Sequence, residues 1–167
     1  VREINMIRTI ADFAKTWKAE ADITSRVLGA LTDASLAQRV TAEDRTLGEI
    51  AWHIATSITE MMAHTGLTLA GPAHDAPTPT SAAAIKAGYD QAAAALLAAV
   101  TAGWTDATLA VKDDMYGEMW PRGFTLTVLV NHQIHHRGAM SVLVRQAGLV
   151  LPDIYGPTRE QMAAMKG

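Results

Sequence analysis

Apolar residues recur at alternating spacings of three and four near the start of the chain. The series consists of Ile7, Ile10, Ala14, Trp17, Ala21, Thr24, Leu28 and Leu31. This spacing is typical of a long amphipathic helix that packs in a left-handed bundle. We therefore predict a first helix that ends near Leu31, before a cluster of turn-forming residues at 32–35.

Two further helices are marked by their capping residues and their composition. Thr46 and Glu49 have the three-residue spacing of a capping box, and apolar positions follow them up to a stop at Gly66. Residues 82–102 are rich in alanine, which favours helix and lets a neighbouring helix approach closely. The pattern thus predicts a second and a third helix.

A fourth helix is predicted to begin around Thr125 or Thr127 and to run to Ala147, with Gly148 as its C-cap. The remaining stretches are two long connections and a C-terminal extension, at about 66–80, 103–124 and 148–167. No segment shows a convincing alternation of apolar and polar residues. We therefore predict an all-α protein, an antiparallel four-helix bundle, with residues 1–167 as one domain.

Composition narrows the classes of protein to which the chain can belong. With 49% apolar residues and a net charge of -3, the 167-residue chain is not of the disordered class. The absence of cysteine excludes disulfides, thiolate zinc sites and cysteine nucleophiles, so any metal must be bound through nitrogen or oxygen. A pI of about 6.0 argues against nucleic-acid binding.

Localisation follows from what the sequence lacks. The charges of Arg2, Glu3 and Arg8 leave no apolar core for a secretory signal near the N-terminus. No segment approaches the roughly eighteen apolar residues that a membrane-spanning helix needs. We therefore expect a cytoplasmic protein with no membrane partner.

Six histidines stand out in this composition, and three of them lie within one turn of the fourth helix. At about 100° per residue, His132 and His136 fall inside the apolar sector, so we expect both rings to face the core. That sector also contains Leu129, Ala139, Met140, Leu143 and Ala147. His135 is rotated about 100° away and is expected to face solvent or a dimer partner.

A histidine pair at i and i+4 brings two ring nitrogens to one point on a helix, which is the geometry of metal-binding helices. His53 on the second helix lies where the apolar stripe meets a polar stripe, so it can reach a groove between helices. Three histidines would leave coordination positions open, as in catalytic sites. The alternatives are hydrogen-bonded core histidines and, for His53, a half-exposed surface ring.

Three further residues are candidates for acid, base or ligand-binding roles beside these histidines. Glu49 and Glu60 share the side of the second helix that carries His53, and Tyr116 lies in the long connection before the fourth helix. We consider all three as catalytic residues. The alternatives are a capping and solvated face for the two acids, and an anchor that holds the connection for the tyrosine.

The other charged and histidine side chains suggest roles away from a metal. Arg137 points about 140° from His132, which indicates a pairing with an acid at an interface. His64 and His74 are expected to be surface residues.

Two segments of this chain resemble the DinB/YfiT-like superfamily. They are TLGEIAWHIA at 46–55 and VLVNHQIHHRGAMSVLVRQAGLVLPDIYG at 128–156. The resemblance implies a four-helix bundle, usually dimeric, with nickel or zinc held by His53, His132 and His136. Related enzymes are transferases and isomerases that use low-molecular-weight thiols, and some hydrolases. Ala139 occupies a position where glutamine is common, which questions any polar role there.

From these observations we expect a metal-dependent enzyme that activates water or a low-molecular-weight thiol for attack on a small electrophilic substrate. We expect a homodimer that acts on a small molecule and binds neither nucleic acid nor membrane. The alternative is a dimeric binding or scaffold protein in which the metal is only structural.

Overall fold

Four long helices make up most of the computed structural model, which describes residues 7–166. They are α1 (Ile10–Gly29), α2 (Leu47–Ala63), α3 (Ala82–Gly103) and α4 (Arg122–Gln146). A hairpin of β1 (Lys112–Met115) and β2 (Glu118–Pro121) precedes α4, and a short α5 (Arg159–Ala164) follows it. The predicted all-α four-helix bundle is confirmed. The ends of the predicted domain, residues 1–6 and 167, lie outside the described residues, and with them Arg2 and Glu3.

Local signals in the sequence set where the helices begin and end. At the start of α2, the Thr46 hydroxyl accepts from the Glu49 amide at 3.2 Å, and the Glu49 carboxylate accepts from the Thr46 amide at 2.7 Å. This is the predicted capping box. Gly66 and Gly148 follow α2 and α4 with φ of 82° and 76°, a left-handed conformation that ends a helix.

The directions of the helices follow from contacts at one end of the bundle. The segment after α1 binds the beginnings of both α2 and α3, because the Gln38 carbonyl accepts from the Leu47 amide and the Asp33 carboxylate accepts from the Ala82 amide. The same Gln38 contacts Gln146 at the end of α4. Two neighbouring pairs, α1/α3 and α2/α4, are therefore antiparallel, while α1/α4 and α2/α3 are parallel.

The parallel pair α2/α3 explains the long connection over residues 64–81. Because both helices start at the same end, the chain must return along the whole length of α2. With 17 residues, α2 is about 25 Å long. Residues 66–80 carry neither helix nor strand.

The interior is filled by apolar side chains from all four long helices. Fully buried members include Phe13, Trp17, Leu28, Leu47, Ile54, Ile58, Met62, Ile85, Tyr89, Leu96, Leu126 and Leu129. They form one contiguous core. Within the described residues, no helix has the length and apolar character needed to cross a membrane.

The buried face of α4 differs from the predicted one. Its buried residues include Leu126, Leu129, Val130, Gln133, Arg137, Met140, Leu143 and Val144. His132 and His136 are half-buried at the margin of this face, and Ala139 is exposed, so the expectation that both imidazoles face the core is wrong. A count of apolar residues assigns Gln133 and Arg137 to the outside, whereas hydrogen bonds hold both inside.

Arg137 is the centre of a polar network inside the bundle. It is only 1% exposed and donates to the Thr24 hydroxyl at 2.9 Å and to the Glu20 carbonyl at 3.0 Å. It also binds the Glu20 carboxylate and the Tyr155 hydroxyl. The acid that pairs with Arg137 thus comes from α1 of the same chain, and the pair joins α1, α4 and the segment after α4.

The connection before α4 is not entirely loop. The strands β1 and β2 are antiparallel, with Met115 paired to Glu118, and Tyr116 and Gly117 form the turn with φ of 61° and 88°. This is the two-residue turn that suits a hairpin, but with tyrosine where asparagine or aspartate is usual. Strands of four residues are too short to show alternation, so the pattern gave no sign of them.

The start of α4, directly after the hairpin, also differs from the predicted one. The helix begins at Arg122, earlier than the predicted Thr125 or Thr127. The Arg122 side chain donates to the Asp113 carboxylate at 2.8 and 3.1 Å and to the Thr65 carbonyl at 3.0 Å. These bonds tie the first turn of α4 to β1 and to the end of α2.

Replacement of Arg137 by methionine is expected to lower the free energy of unfolding by about 3 kcal/mol, because it leaves the largely shielded Glu20 carboxylate, 12% exposed, without its cationic partner. Urea unfolding measures this loss. The matched control is Arg26→Met, which removes a pair with Asp153 whose side chains are about half exposed, and it should cost about 1 kcal/mol or less. Equal losses in the two variants would contradict a special role for the buried pair.

Candidate metal centre

The antiparallel contact of α2 with α4 brings three histidines together. His53 of α2 faces His132 and His136, which lie one turn apart on α4. The Nε2 atom of His132 is 3.1 Å from the Nε2 atom of His53 and 3.1 Å from that of His136. All three rings are half-buried, and within residues 7–166 they form a group that could hold a metal ion.

Hydrogen bonding alone satisfies this cluster poorly. A neutral imidazole carries its proton on one nitrogen, so the His132 Nε2 atom either donates one N–H or accepts through one lone pair. It therefore cannot form two full hydrogen bonds, one to His53 and one to His136. Its other nitrogen, Nδ1, is buried and has no partner among the described residues. A cation bound by the three Nε2 atoms would compensate all three rings at once.

The separations of the nitrogen atoms also fit a metal ion. Zinc binds histidine nitrogen at about 2.0–2.1 Å, so two ligands of a tetrahedral ion lie about 3.3 Å apart. The two Nε2–Nε2 distances of 3.1 Å are close to this value. The Ser57 hydroxyl lies 3.4 Å from His53 Nδ1, the nitrogen that faces away from the cluster.

The surroundings of the cluster favour uncharged rings. Burial, reinforced by the neighbouring histidines, lowers the pKa of His132 from its ordinary value of 6.5 to about 4. Burial and the charge of His132 lower the pKa of His136 to about 4 as well. Burial also lowers the pKa of His53, and Arg45 contributes to the same effect. Neutral imidazole is the form that binds a metal.

The other three histidines lie away from the cluster nitrogens. His135 is exposed, as expected, with its ring beside that of His136. His74 is exposed in the connection between α2 and α3. His64 follows α2, and its Nε2 atom is 3.3 Å from the Glu60 carboxylate.

Glu60 and Tyr116, which the sequence suggested separately, are in contact. The Tyr116 hydroxyl donates to the Glu60 carboxylate, with oxygen distances of 2.8 and 2.9 Å. Burial and this hydrogen bond raise the pKa of Tyr116, so the hydroxyl keeps its proton. The ring of His64 packs on the Tyr116 ring at 5.0 Å, and His64 Nδ1 donates to the Asp114 carbonyl. Sequence reasoning missed His64 because the hairpin that brings Tyr116 to it was not predicted.

Glu49 does not join this group. Its carboxylate accepts from the Thr46 amide, and these bonds lower the pKa of the Glu49 carboxyl. The side chain is exposed at the first turn of α2 and makes no hydrogen bond to the three histidines. Its observed contacts are those of a helix cap.

The sequence and the bundle match a known family. A family model described as the DinB family matches residues 6–167, nearly the whole chain. The chain belongs to the DinB family. The resemblance seen in the sequence is thereby confirmed.

Individual DinB relatives support the assignment. The chain is 46% identical over 158 residues to the uncharacterized protein YrdA of Bacillus subtilis strain 168, covering 95% of both chains. It is 43% identical to a DinB-like protein of Bacillus cereus ATCC 10987, whose crystal structure superposes with a TM-score of 0.86 over 90% of this chain and 100% of that one.

A more distant DinB-like protein, YjoA of Bacillus subtilis, shares the fold. It is 19% identical, with a TM-score of 0.68, and the match covers 88% of this chain and 99% of that one. At this identity the likeness concerns the arrangement of helices alone.

In this DinB family member, a groove of about 470 Å³ opens directly beside His136. It is lined by Val40, Asp44, Arg45, Ile50, His136, Ala139, Val142 and Leu143. Ala139, the position where the resemblance leads one to expect glutamine, contributes only a methyl group to its wall. Sequence reasoning did not single out Arg45, because the residue before an N-cap carries no pattern of its own.

The depressed pKa values predict how the metal-free protein responds to acid. The unfolded chain protonates its histidines below pH 6.5, whereas His132 and His136 keep pKa values of about 4 when folded. Because the unfolded state binds more protons in that interval, the free energy of unfolding is highest above about pH 6.5 and falls as the pH drops toward 4.

Urea unfolding of chelator-treated protein across that pH range measures this effect. The double variant His132→Gln, His136→Gln should show a shallower fall, because its side chains do not titrate. His74→Gln, which changes an exposed ring, should keep the slope of the unmodified protein. A double variant with an unchanged slope would contradict the prediction.

Proposed function

We propose that this DinB family protein is a metal-dependent enzyme in which His53, His132 and His136 hold one divalent ion, zinc or nickel. The observation that carries the proposal is the approach of three Nε2 atoms, two pairs of them at 3.1 Å, from two helices. The donor set fits both ions, since imidazole suits zinc and nickel.

The number of ligands supports a catalytic site over a structural one. Structural zinc sites have four protein ligands, whereas catalytic sites have three and an open position. Among residues 7–166, no fourth histidine or acid joins the trio, and the sequence has no cysteine. An ion bound there would lower the pKa of bound water or of a bound thiol and so make it nucleophilic.

The reaction we propose is attack of water or a low-molecular-weight thiol on a small electrophile, giving hydrolysis or transfer. Since the chain itself has no thiol, any sulfur nucleophile arrives as a small molecule. His53, His132 and His136 contribute by staying neutral and by standing on two helices that are packed against each other.

Glu60 is the base that we propose for this reaction. It lies two turns beyond His53 on α2, about 10 Å along the helix axis, so proton transfer to it would require a chain of several waters. The Tyr116 hydroxyl holds its carboxylate in place.

Metal analysis of protein purified without a histidine tag tests the ligand set. We expect about one equivalent of zinc or nickel in the unmodified protein and a nearly complete loss in His132→Ala and in His136→Ala, because two ligands cannot hold the ion firmly. The control His74→Ala should retain the metal. Stoichiometric metal that is unaffected by both ligand substitutions would overturn the proposed site.

Substitution with cobalt separates a catalytic site from a structural one. In the unmodified protein, azide or a small thiol should change the visible absorption of bound cobalt, because an open coordination position accepts the added ligand. The same addition should change the spectrum of the Glu60→Gln variant too, since Glu60 is not a ligand in the proposal. A spectrum that neither reagent alters would favour the purely structural metal.

A further inference from the structure

The groove beside His136 follows the surface of α4 away from the three histidines. From His136 to Leu143, one wall extends about 10 Å along the helix axis. Most of the lining is apolar, and it consists of Val40, Ile50, Ala139, Val142 and Leu143. The side chain of Val142 is 56% exposed and that of Val40 is 65% exposed, so this surface is accessible.

Arg45 is a cation without a partner in this groove. Within residues 7–166, its guanidinium forms no hydrogen bond and no ion pair, whereas Arg122 and Arg137 are each paired with an acid. It lies near enough to the cluster for its charge to lower the pKa of His136. A guanidinium that is not engaged by the protein is available to a ligand.

The two acids near Arg45 accept hydrogen bonds from residues other than Arg45. The carboxylate of Asp44, which lines the same groove, accepts from the Thr41 amide at 3.1 Å and from the Thr41 hydroxyl at 2.9 Å. The Glu49 carboxylate accepts from the Thr46 amide at 2.7 Å. Asp44 keeps its negative charge, but among the described residues neither acid forms an ion pair with Arg45. The guanidinium therefore remains available beside a long apolar wall, with the three histidines at one end.

We propose that this groove binds small organic acids, with the carboxylate of the ligand on Arg45 and its apolar body along Ile50, Ala139 and Val142. The proposal deepens the proposed function and rests on it in one respect, since the groove opens beside His136, one of the proposed metal ligands. A single guanidinium matches a monoanionic carboxylate, which it can bind through two N–H groups.

Octanoate is a suitable probe because it combines one carboxylate with an apolar chain. Calorimetric titration of the protein as purified should show octanoate binding at least about tenfold more tightly than acetate, which lacks the chain. Octylammonium, which has the opposite charge, should bind more weakly than octanoate by a similar factor. Increasing the salt concentration should weaken octanoate binding, because Arg45 is exposed.

Substitutions of exposed residues test the two contacts separately. Arg45→Gln should weaken octanoate binding about tenfold and remove the preference over octylammonium, while Arg45→Lys should keep the preference. The charge-matched control is Lys15→Gln on the exposed face of α1, which should bind octanoate normally. Val142→Ser, which removes apolar surface without adding charge, should also weaken binding, whereas Val150→Ser, at a similarly exposed position outside the groove, should not.

Repeating the titrations after chelation distinguishes this inference from the proposed function. An effect of Arg45→Gln that persists without metal supports the groove, even if metal analysis were to overturn the histidine site. Octanoate binding that disappears on chelation and is unaffected by Arg45→Gln would place the carboxylate on the metal and overturn the inference. If a second copy of the chain covers the groove, the proposed ligand site is also overturned. Sedimentation would then show a dimer, and Val142→Asp would dissociate it.

Discussion

The rotation of α4 about its own axis depends on the buried guanidinium of Arg137. With Glu20 and Thr24 as partners on α1, this side chain can lie inside the bundle, and His136, its neighbour in sequence, then lies about 100° away at the margin. A rotation that buried the histidines would expose the ion pair. The position of the histidines at the bundle surface is therefore a consequence of the contacts that Arg137 makes on an adjacent face of the helix.

Because the three rings are half-buried, they combine neutrality with access to a ligand. A fully buried ring would lack the access, and a fully exposed ring would lack the neutrality. Burial keeps them neutral, since it lowers the pKa values of His132 and His136 to about 4. Exposure leaves one side of the cluster open to the groove that contains Arg45. Rings in the core would have no access for a ligand, and fully exposed rings would titrate near their ordinary values.

Much of this arrangement could be predicted from the sequence. The predictions that were wrong or missing have identifiable physical causes. The capping box of Thr46 and Glu49 follows from spacing, which is a local property. The grouping of His53 with the pair on α4 was expected from the position of His53 at the border of two stripes and from the resemblance to the DinB/YfiT-like superfamily. The buried face of α4 could not be found by counting apolar residues, because Arg137 is buried through partners on another helix. The hairpin was missed because its turn uses Tyr116 in a left-handed conformation and its strands are short.

The 79 residues that separate His53 from His132 determine when the proposed metal site can form. During synthesis His53 emerges long before α4 has been made. The whole of α3 is synthesised between the two. No early fragment of the chain can therefore form the three-nitrogen set. If the proposed site binds a metal, the ion would be selected by the geometry of the folded bundle and not by a growing chain, which would take the ion of highest intrinsic affinity.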